Sequence, residues 1–352
     1  MDISKIDPNL IVPCSIGKLD VEYRDIDSDP FRIYGVWRDG SNYYRIPPEV
    51  SSRVNPRVHA VRANTTGGRV RFVTDSSYVA IRACIDGIYR ISMMTFTGTT
   101  GLDMYADGKY AGTFQAPFEL KNGGVFESVV NLQGRKSRVI TVNMPNYANL
   151  LNLEIGLEGG ASLFRAPDYT LERPIVYYGS SITNGGCATR PGMAYPSIIS
   201  RMLDADFRNL GFGGACRGEL AMAEYIASLD MSAFVLAYDH NARDPEQLEK
   251  THEPFFKAVR ERNPELPIII ISRPQFYPTP DRDARLAVIK RTYESARTCG
   301  DWNVYFIPGY SFFDEVEGDY TVDGIHPTDL GFHYMARGIA PILRSAITEL
   351  RV

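Results

Sequence analysis

The sequence is short of the features that mark a specialised protein. Its 352 residues hold only five cysteines, Cys14, Cys84, Cys187, Cys216 and Cys299, with no Cys-x-x-Cys pair and no Cys/His ligand spacing. That excludes a disulfide-built miniprotein and a zinc module, and no metal or other cofactor is expected. The expectation for all five is a free thiol, buried or partly buried, because unpaired cysteine packs as a small hydrophobe. A contact between Cys187 and Cys216 stays open. Charge of one sign is equally scarce: 38 Lys and Arg stand against 42 Asp and Glu, a net of −4. No basic field therefore invites nucleic acid or anionic lipid. Long apolar runs are missing too, since IVYY (175–178) and IIIIS (268–272) fall far below a membrane span. Neither nucleic acid nor membrane is expected as a partner. The opening MDISKIDPNL lacks the basic-then-apolar layout of a secretory signal, which points to a cytoplasmic location.

What is present is an ordinary globular composition, 44% hydrophobic and 23% charged, over a length that suits roughly two domains. The two halves differ in periodicity. VRFVT (70–74), YVAIRACI (78–85), LDMYAD (102–107), FESVVNL (126–132), RVITVNM (138–144) and LLNLEIGL (150–157) are strand-length, β-rich and separated by turn residues. Asp107-Gly108 is a hairpin signal, since glycine tolerates the positive φ of a primed turn. FRIYGVW and NYYRIP read as further strands. The expectation is an all-β sandwich or jelly roll over residues 1–165. Periodicity lapses over 161–174, which reads as the interdomain connection.

From 174 to 352 the chain alternates. PIVYYG (174–179), FRNLG (207–211), AFVLAYD (233–239), PIIIISR (267–273) and VYFIPG (304–309) lie between helical stretches near 193–204, 218–229, 246–262, 284–298 and 328–349. Apolar strands between amphipathic helices make a parallel sheet covered on both faces. Ligands of such a sheet bind at the carboxyl ends of its strands. The residues found there can do chemistry. Gly179-Ser180-Ser181 places a hydroxyl at a strand-to-helix turn, where it is either a nucleophile or an N-cap. Asn209-Leu210-Gly211-Phe212-Gly213-Gly214 offers close backbone approach, and Asn241 an amide donor that does not titrate. Asp323-Gly324-Ile325-His326 sets a carboxylate and an imidazole three residues apart on one loop, ready to orient a general base. His240 is the one competing histidine. His59, His252 and His333 have no comparable setting.

Ser, Gly, Asn and Asp-x-x-His, in that order and each at the end of a different expected strand of one sheet, resemble the SGNH (GDSL-like) hydrolases, serine esterases of flavodoxin-like three-layer α/β/α fold. The resemblance covers about 174–350. It implies Ser181 as nucleophile, His326 and Asp323 as its triad partners, and Ser181, Gly214 and Asn241 as oxyanion donors. Two departures stand out. Gly-Asp-Ser is here Gly179-Ser180-Ser181, which leaves Ser180 as an alternative, and Gly-x-Asn-Asp is here Asp239-His240-Asn241-Ala242. A β-sandwich ahead of the hydrolase domain also resembles carbohydrate acetyl esterases and an acyltransferase relative.

The activity this implies is hydrolysis of small O-acyl, above all O-acetyl, esters, with a small-molecule or oligosaccharide ester as substrate. An acyltransferase using the same acyl-enzyme is the first alternative, and a non-catalytic carbohydrate-binding protein the second. Arg190 and Arg273 are candidate substrate-binding residues, each with a structural salt bridge as the competing role. Trp37 and Tyr43-Tyr44 are either sugar-stacking rings or core. Oligomeric state is not legible.

Overall fold

The structure is a computed structural model that describes residues 6, 12, 15–274, 279–313 and 319–349. Cys14 lies outside these. The chain divides into two compact units, one comprising the residues up to Tyr44, Ala63–Pro167 and Thr189–Gly192, the other Arg45–Arg62, Asp168–Ala188 and the residues from Met193 on.

In the first unit the period-two segments pair as two sheets. One runs β1 (Val21–Asp25), β11 (Asn149–Glu158), β6 (Tyr78–Asp86), β9 (Gly124–Asn131), all antiparallel. The other runs β12 (Leu163–Phe164), β5 (Arg69–Thr74), β10 (Arg138–Asn143), β7 (Leu102–Ala106), β8 (Lys109–Phe114), with β2 (Arg32–Tyr34) also on β5. A small hairpin, β3 (Trp37–Asp39) with β4 (Asn42–Tyr44), forms a sheet of its own, and α3 (Phe96–Thr99) is a single helical turn. Alternate residues of both sheets, among them Phe72, Ile81, Met104, Ile140 and Ile155, enter one buried cluster. That shared core makes the pair a sandwich, and each such side chain contributes about 1.5–3 kcal/mol by leaving water. Asp107 and Gly108 both have positive φ (50° and 74°) where β7 turns into β8, the geometry that matches strand twist. Tyr43 is core, fully buried with its hydroxyl on Asp27 (2.9 Å).

The second unit carries a five-stranded parallel sheet in the order β14 (Ala205–Gly211), β13 (Leu171–Gly179), β15 (Ala233–Ala237), β16 (Ile268–Ile271), β17 (Val304–Ile307). Numbered within the unit this is 2-1-3-4-5, the flavodoxin-like order. Neighbouring residues of β13 serve different layers. Val176 and Tyr178 join a cluster with helices α6 (Leu220–Ala227), α7 (Pro245–Arg262) and α8 (Arg282–Thr298). Ile175 and Tyr177 join another with α5 (Tyr195–Leu203) and α9 (Asp329–Glu349). A strand apolar on both faces thus has a helical layer on each side. No helix among the described residues is long and apolar enough to cross a membrane.

The structure departs from expectation in three places. Residues 45–62 do not extend the sandwich. They form α1 (Pro48–Val54) and α2 (Pro56–Ala60), whose Val50, Val54 and Val58 pack in the second unit's core. Pro at N1 starts both helices, after Pro47 in one case and after the capping Asn55 in the other. The irregular stretch 161–174 is partly ordered, with β12 on β5 and β13 beginning at Leu171. Cys299 is exposed, while Cys84 is partly buried and Cys187 and Cys216 are buried; all four are free thiols.

His252, on α7, is buried with Nδ1 2.8 Å from Thr292 Oγ1 of α8. Burial alone holds its pKa down to about 3, against 6.5 for the free side chain. A folded pKa below the unfolded one gives stability that is present above pH 6.5 and is lost as pH falls from there towards 3. The slope approaches about 1.4 kcal/mol per pH unit for this one group. Thermal melts between pH 7 and 5, above the carboxylate range, should therefore fall more steeply for wild type than for His252→Gln. Parallel curves would show that the imidazole is not held neutral.

Candidate active site

β13 ends at Gly179, and the chain turns directly into a single helical turn, α4 (Ser181–Asn184). The two serines there are used differently. Ser180, 1% exposed, caps α4, its Oγ accepting from Ile182 N at 3.2 Å. Ser181 Oγ lies 2.8 Å from His326 Nε2. The imidazole comes from the loop before α9, closed by Thr328 N on Tyr320 O (2.7 Å) and Val322 N on His326 O (2.9 Å). Asp323 completes the loop from inside. Its Oδ2 is 2.8 Å from His326 Nδ1, and its Oδ1 accepts from the backbone N–H groups of His326 (2.7 Å) and Ile325 (3.0 Å). A carboxylate can only accept, so Nδ1 carries the proton and Nε2 presents its lone pair to the serine hydroxyl. Partial burial pushes the Asp323 carboxyl up, but these N–H donors together outweigh it and hold it below the usual value. The group is therefore an anion whenever the imidazole beside it works.

β14 and β15 end beside this chain of contacts. Gly214 has φ +70° and an exposed backbone, so a side chain there would strain the turn without filling any gap. Asn241 closes a 3-10 turn, Asp239–Asn241, at the end of β15. Its Nδ2 donates to Phe212 O at 3.0 Å, which joins the two strand ends through one amide and leaves a second N–H on the same nitrogen.

The turn itself hangs on a buried ion cluster. Asp239, 3% exposed, accepts from Arg273 N (2.8 Å) and from Arg285 Nη1 of α8 (3.2 Å). Arg285, equally buried, also donates to the carbonyls of Asp239 (3.2 Å) and Ala242 (3.0 Å), and its Nε pairs with Asp281 (2.5 Å). Burial pushes the Asp239 carboxyl up, while Arg273 and Arg285 pull it back.

The remaining candidates are placed as follows. His240 Nε2 lies 3.4 Å from Pro274 O, and burial, with Arg273 nearby, takes its pKa down to about 3. It is the ring of His326 that reaches Ser181. Arg273 sits against Asp239 and Asp281, at 3.9 and 3.8 Å. Arg190 belongs to the first unit, where Nη1 meets fully buried Asp103 (2.7 Å) and the Tyr105 hydroxyl (2.6 Å), with Tyr110 stacked at 3.9 Å. For both arginines the salt bridge is thus the observed partnership.

Sequence reasoning missed three residues tied to the strand-end loops, Arg285, Arg45 and Asn55. Only Asn55 had a local signal, the Asn-Pro helix start. Among the described residues no group of three or more His, Cys, Asp or Glu side chains is arranged to hold a metal ion.

Comparison with known proteins places both parts of the chain in one family. Residues 172–344 match the GDSL-like lipase/acylhydrolase family, and residues 21–163 match the N-terminal domain of SGNH-hydrolase-type esterases. No curated protein matches. Among solved structures, a GDSL-like lipase from Bacteroides ovatus is similar over 93% of this chain and 98% of its own, with 28% identity and a TM-score of 0.83. A salicylyl-acyltransferase from a tetracycline biosynthetic pathway covers 95% and 99% at 20% identity and TM-score 0.75. An acetyl xylan esterase from the rumen bacterium Butyrivibrio proteoclasticus covers 95% and 99% at 16% identity and TM-score 0.61. With one family match on each unit and a parallel sheet of flavodoxin-like order behind the serine, the chain belongs to the SGNH (GDSL-like) ester hydrolases, in the two-domain form that carries a β-sandwich ahead of the hydrolase domain.

Proposed function

We propose that this protein is a serine esterase that removes small O-acyl groups, chiefly acetyl, from carbohydrates. The observation that carries the mechanism is the unbroken relay Ser181 Oγ, His326 Nε2, His326 Nδ1, Asp323 Oδ2, with 2.8 Å at each of its two hydrogen bonds. Ser181 Oγ attacks the acyl carbonyl while its proton passes to His326 Nε2, and Asp323 stabilises the imidazolium. The tetrahedral oxyanion receives the backbone N–H groups of Ser181 and Gly214 and the second N–H of Asn241 Nδ2. Collapse expels the sugar alkoxide, which takes the proton from His326. Water, deprotonated by the same imidazole, then attacks the acyl-enzyme and releases acetate and free serine.

The carbohydrate part rests on the name of the acetyl xylan esterase among the fold relatives. Acetate release from acetylated xylo- and manno-oligosaccharides, set beside simple aryl acetates, tests it. Turnover on the sugars at least tenfold above that on a matched simple alcohol ester is expected, and equal turnover would remove the sugar from the reading. Asn241→Ala should lower kcat by about 10²–10³ with little change in KM, since the donor is needed only when negative charge develops. An unchanged kcat would exclude the amide from the oxyanion site.

A second reading keeps the acyl-enzyme and gives its acyl group to an alcohol or amine instead of water; it is prompted by the salicylyl-acyltransferase among the relatives. Partition of the acyl group between water and added acceptors decides between the two.

A further inference from the structure

The stretch Arg45–Arg62 touches the loop between β14 and α6 on both sides of Gly214. Ahead of the glycine, Arg45 is 1% exposed, its Nη1 donating to Asn209 O at 3.0 Å and Gly211 O at 2.7 Å. Its guanidinium carbon lies 4.4 Å from the centre of the Phe212 ring. Beyond the glycine, Asn55 Nδ2 donates to Ala215 O at 3.0 Å and to Glu219 Oε1 at 2.6 Å. Glu219 Oε2 in turn accepts from Arg217 N (3.0 Å) and the Tyr178 hydroxyl (3.2 Å).

Peptide by peptide, this leaves one plane unlike the rest. The 211–212 plane is held by Arg45 on its carbonyl and by Phe212 N on Gly179 O. The 212–213 plane is held through Phe212 O, which accepts from Ala215 N and Asn241 Nδ2. Ala215 N holds the 214–215 plane, and Asn55 holds the 215–216 plane. Of these five planes, the 213–214 plane, which carries Gly214 N–H, is the one that makes no hydrogen bond with the described residues. Its direction is therefore set by the planes on either side.

We propose that Arg45 and Asn55 are positioning residues for the oxyanion site, fixing the aim of Gly214 N–H by anchoring the chain before and after it. This rests on reading Gly214 as an oxyanion donor. A donor acts only if it points at the place the oxyanion will occupy, so a loosened loop costs transition-state binding and leaves substrate binding alone.

Asn55 also caps α2 through Oδ1 on Val58 N (2.9 Å), so the informative variant is Asn55→Ser, which keeps a capping oxygen and removes the Nδ2 donor. Arg45→Lys is the second variant, Ser52→Ala on the exposed side of α1 the control, and Asn241→Ala tests the oxyanion reading itself. The measurements are kcat and KM on an aryl acetate, active-site titration with a serine-reactive phosphonate, and Ki for a boronic acid that forms a tetrahedral serine adduct. Asn55→Ser and Arg45→Lys should lower kcat per titrated site by about tenfold, part of the 10²–10³ that a whole donor supplies. KM should stay within twofold, Ki should rise in step with the loss in kcat, and Ser52→Ala should match wild type. If Asn55→Ser reduces only the number of titratable sites, with kcat per site unchanged, the role is structural and the proposal is overturned. If Asn241→Ala loses activity and Asn55→Ser does not, positioning is overturned while the oxyanion reading stands. If neither changes kcat, both fall together.

Discussion

Ser181→Ala is expected to lower kcat for ester hydrolysis by about 10⁴-fold or more while leaving the fold intact. The size follows from covalent catalysis: without the hydroxyl there is no acyl-enzyme, and only the oxyanion donors and binding remain. The fold should survive because the serine side chain is only partly buried and the helix cap is supplied by its neighbour. Ser180→Ala is the matching control. It removes the cap, costs about 1 kcal/mol of stability and leaves Ser181 able to react. A serine-reactive phosphonate should label the peptide at Ser181 in wild type and in Ser180→Ala, and not in Ser181→Ala. A Ser181→Ala rate within tenfold of wild type on an aryl acetate would exclude Ser181 as the nucleophile.

The second large effect is on stability. Asp239 and Arg285 are a side-chain pair 3–4% exposed, with Arg273 beside them. Asp239→Asn preserves the shape and the acceptor for Arg273 N, but removes the anion between two guanidinium groups. Taking one partner from such a pair costs about 3–5 kcal/mol, because the remaining charge has lost its compensation and cannot return to water. Urea unfolding should show that loss as a lower midpoint with an unchanged slope. Adding Arg285→Met should recover part of it, since an apolar side chain needs no counter-ion. A loss under about 1 kcal/mol for Asp239→Asn would mean that water or Asp281 already satisfies the arginines. Activity should fall as well, because the carboxylate and Arg285 hold the turn that ends in Asn241.

These two effects divide along what was legible. The blocks around Ser181, Gly214 and Asn241 could be located because each follows an apolar strand, and the Asp323/His326 pair because it stands in the loop before the last helix. Which residue of each block takes which role is what the resemblance to the SGNH hydrolases implies. Asp323 and His326 are three residues apart, so even their hydrogen bond is a local matter. Arg285 meets Asp239 across 46 residues, and Arg45 meets Gly211 across 166. Nothing in composition or spacing distinguishes a buried arginine from the solvated kind that is far commoner. The stretch 45–62 is hard to read for a related reason. FRIYGVW and NYYRIP beside it look like strands, and only tertiary packing shows where its valines go. Arg190, in the loop after Ser181, and Arg273, at the end of the fourth strand, stood where ligand-binding arginines can, yet Asp103 and Asp239 are their partners here.

The interleaved order of segments has a consequence for anyone who edits this gene. Val50, Val54 and Val58 are encoded within the front portion but are buried among the helices of the hydrolase unit, while residues 189–192 are encoded late and belong to the sandwich. A single cut near residue 170 would therefore leave each fragment missing a piece of itself, and the rear fragment would present an uncovered apolar strip to solvent. Recombination that exchanges the sandwich for another must graft 45–62 along with the host's hydrolase half, or retain both halves as one inheritance.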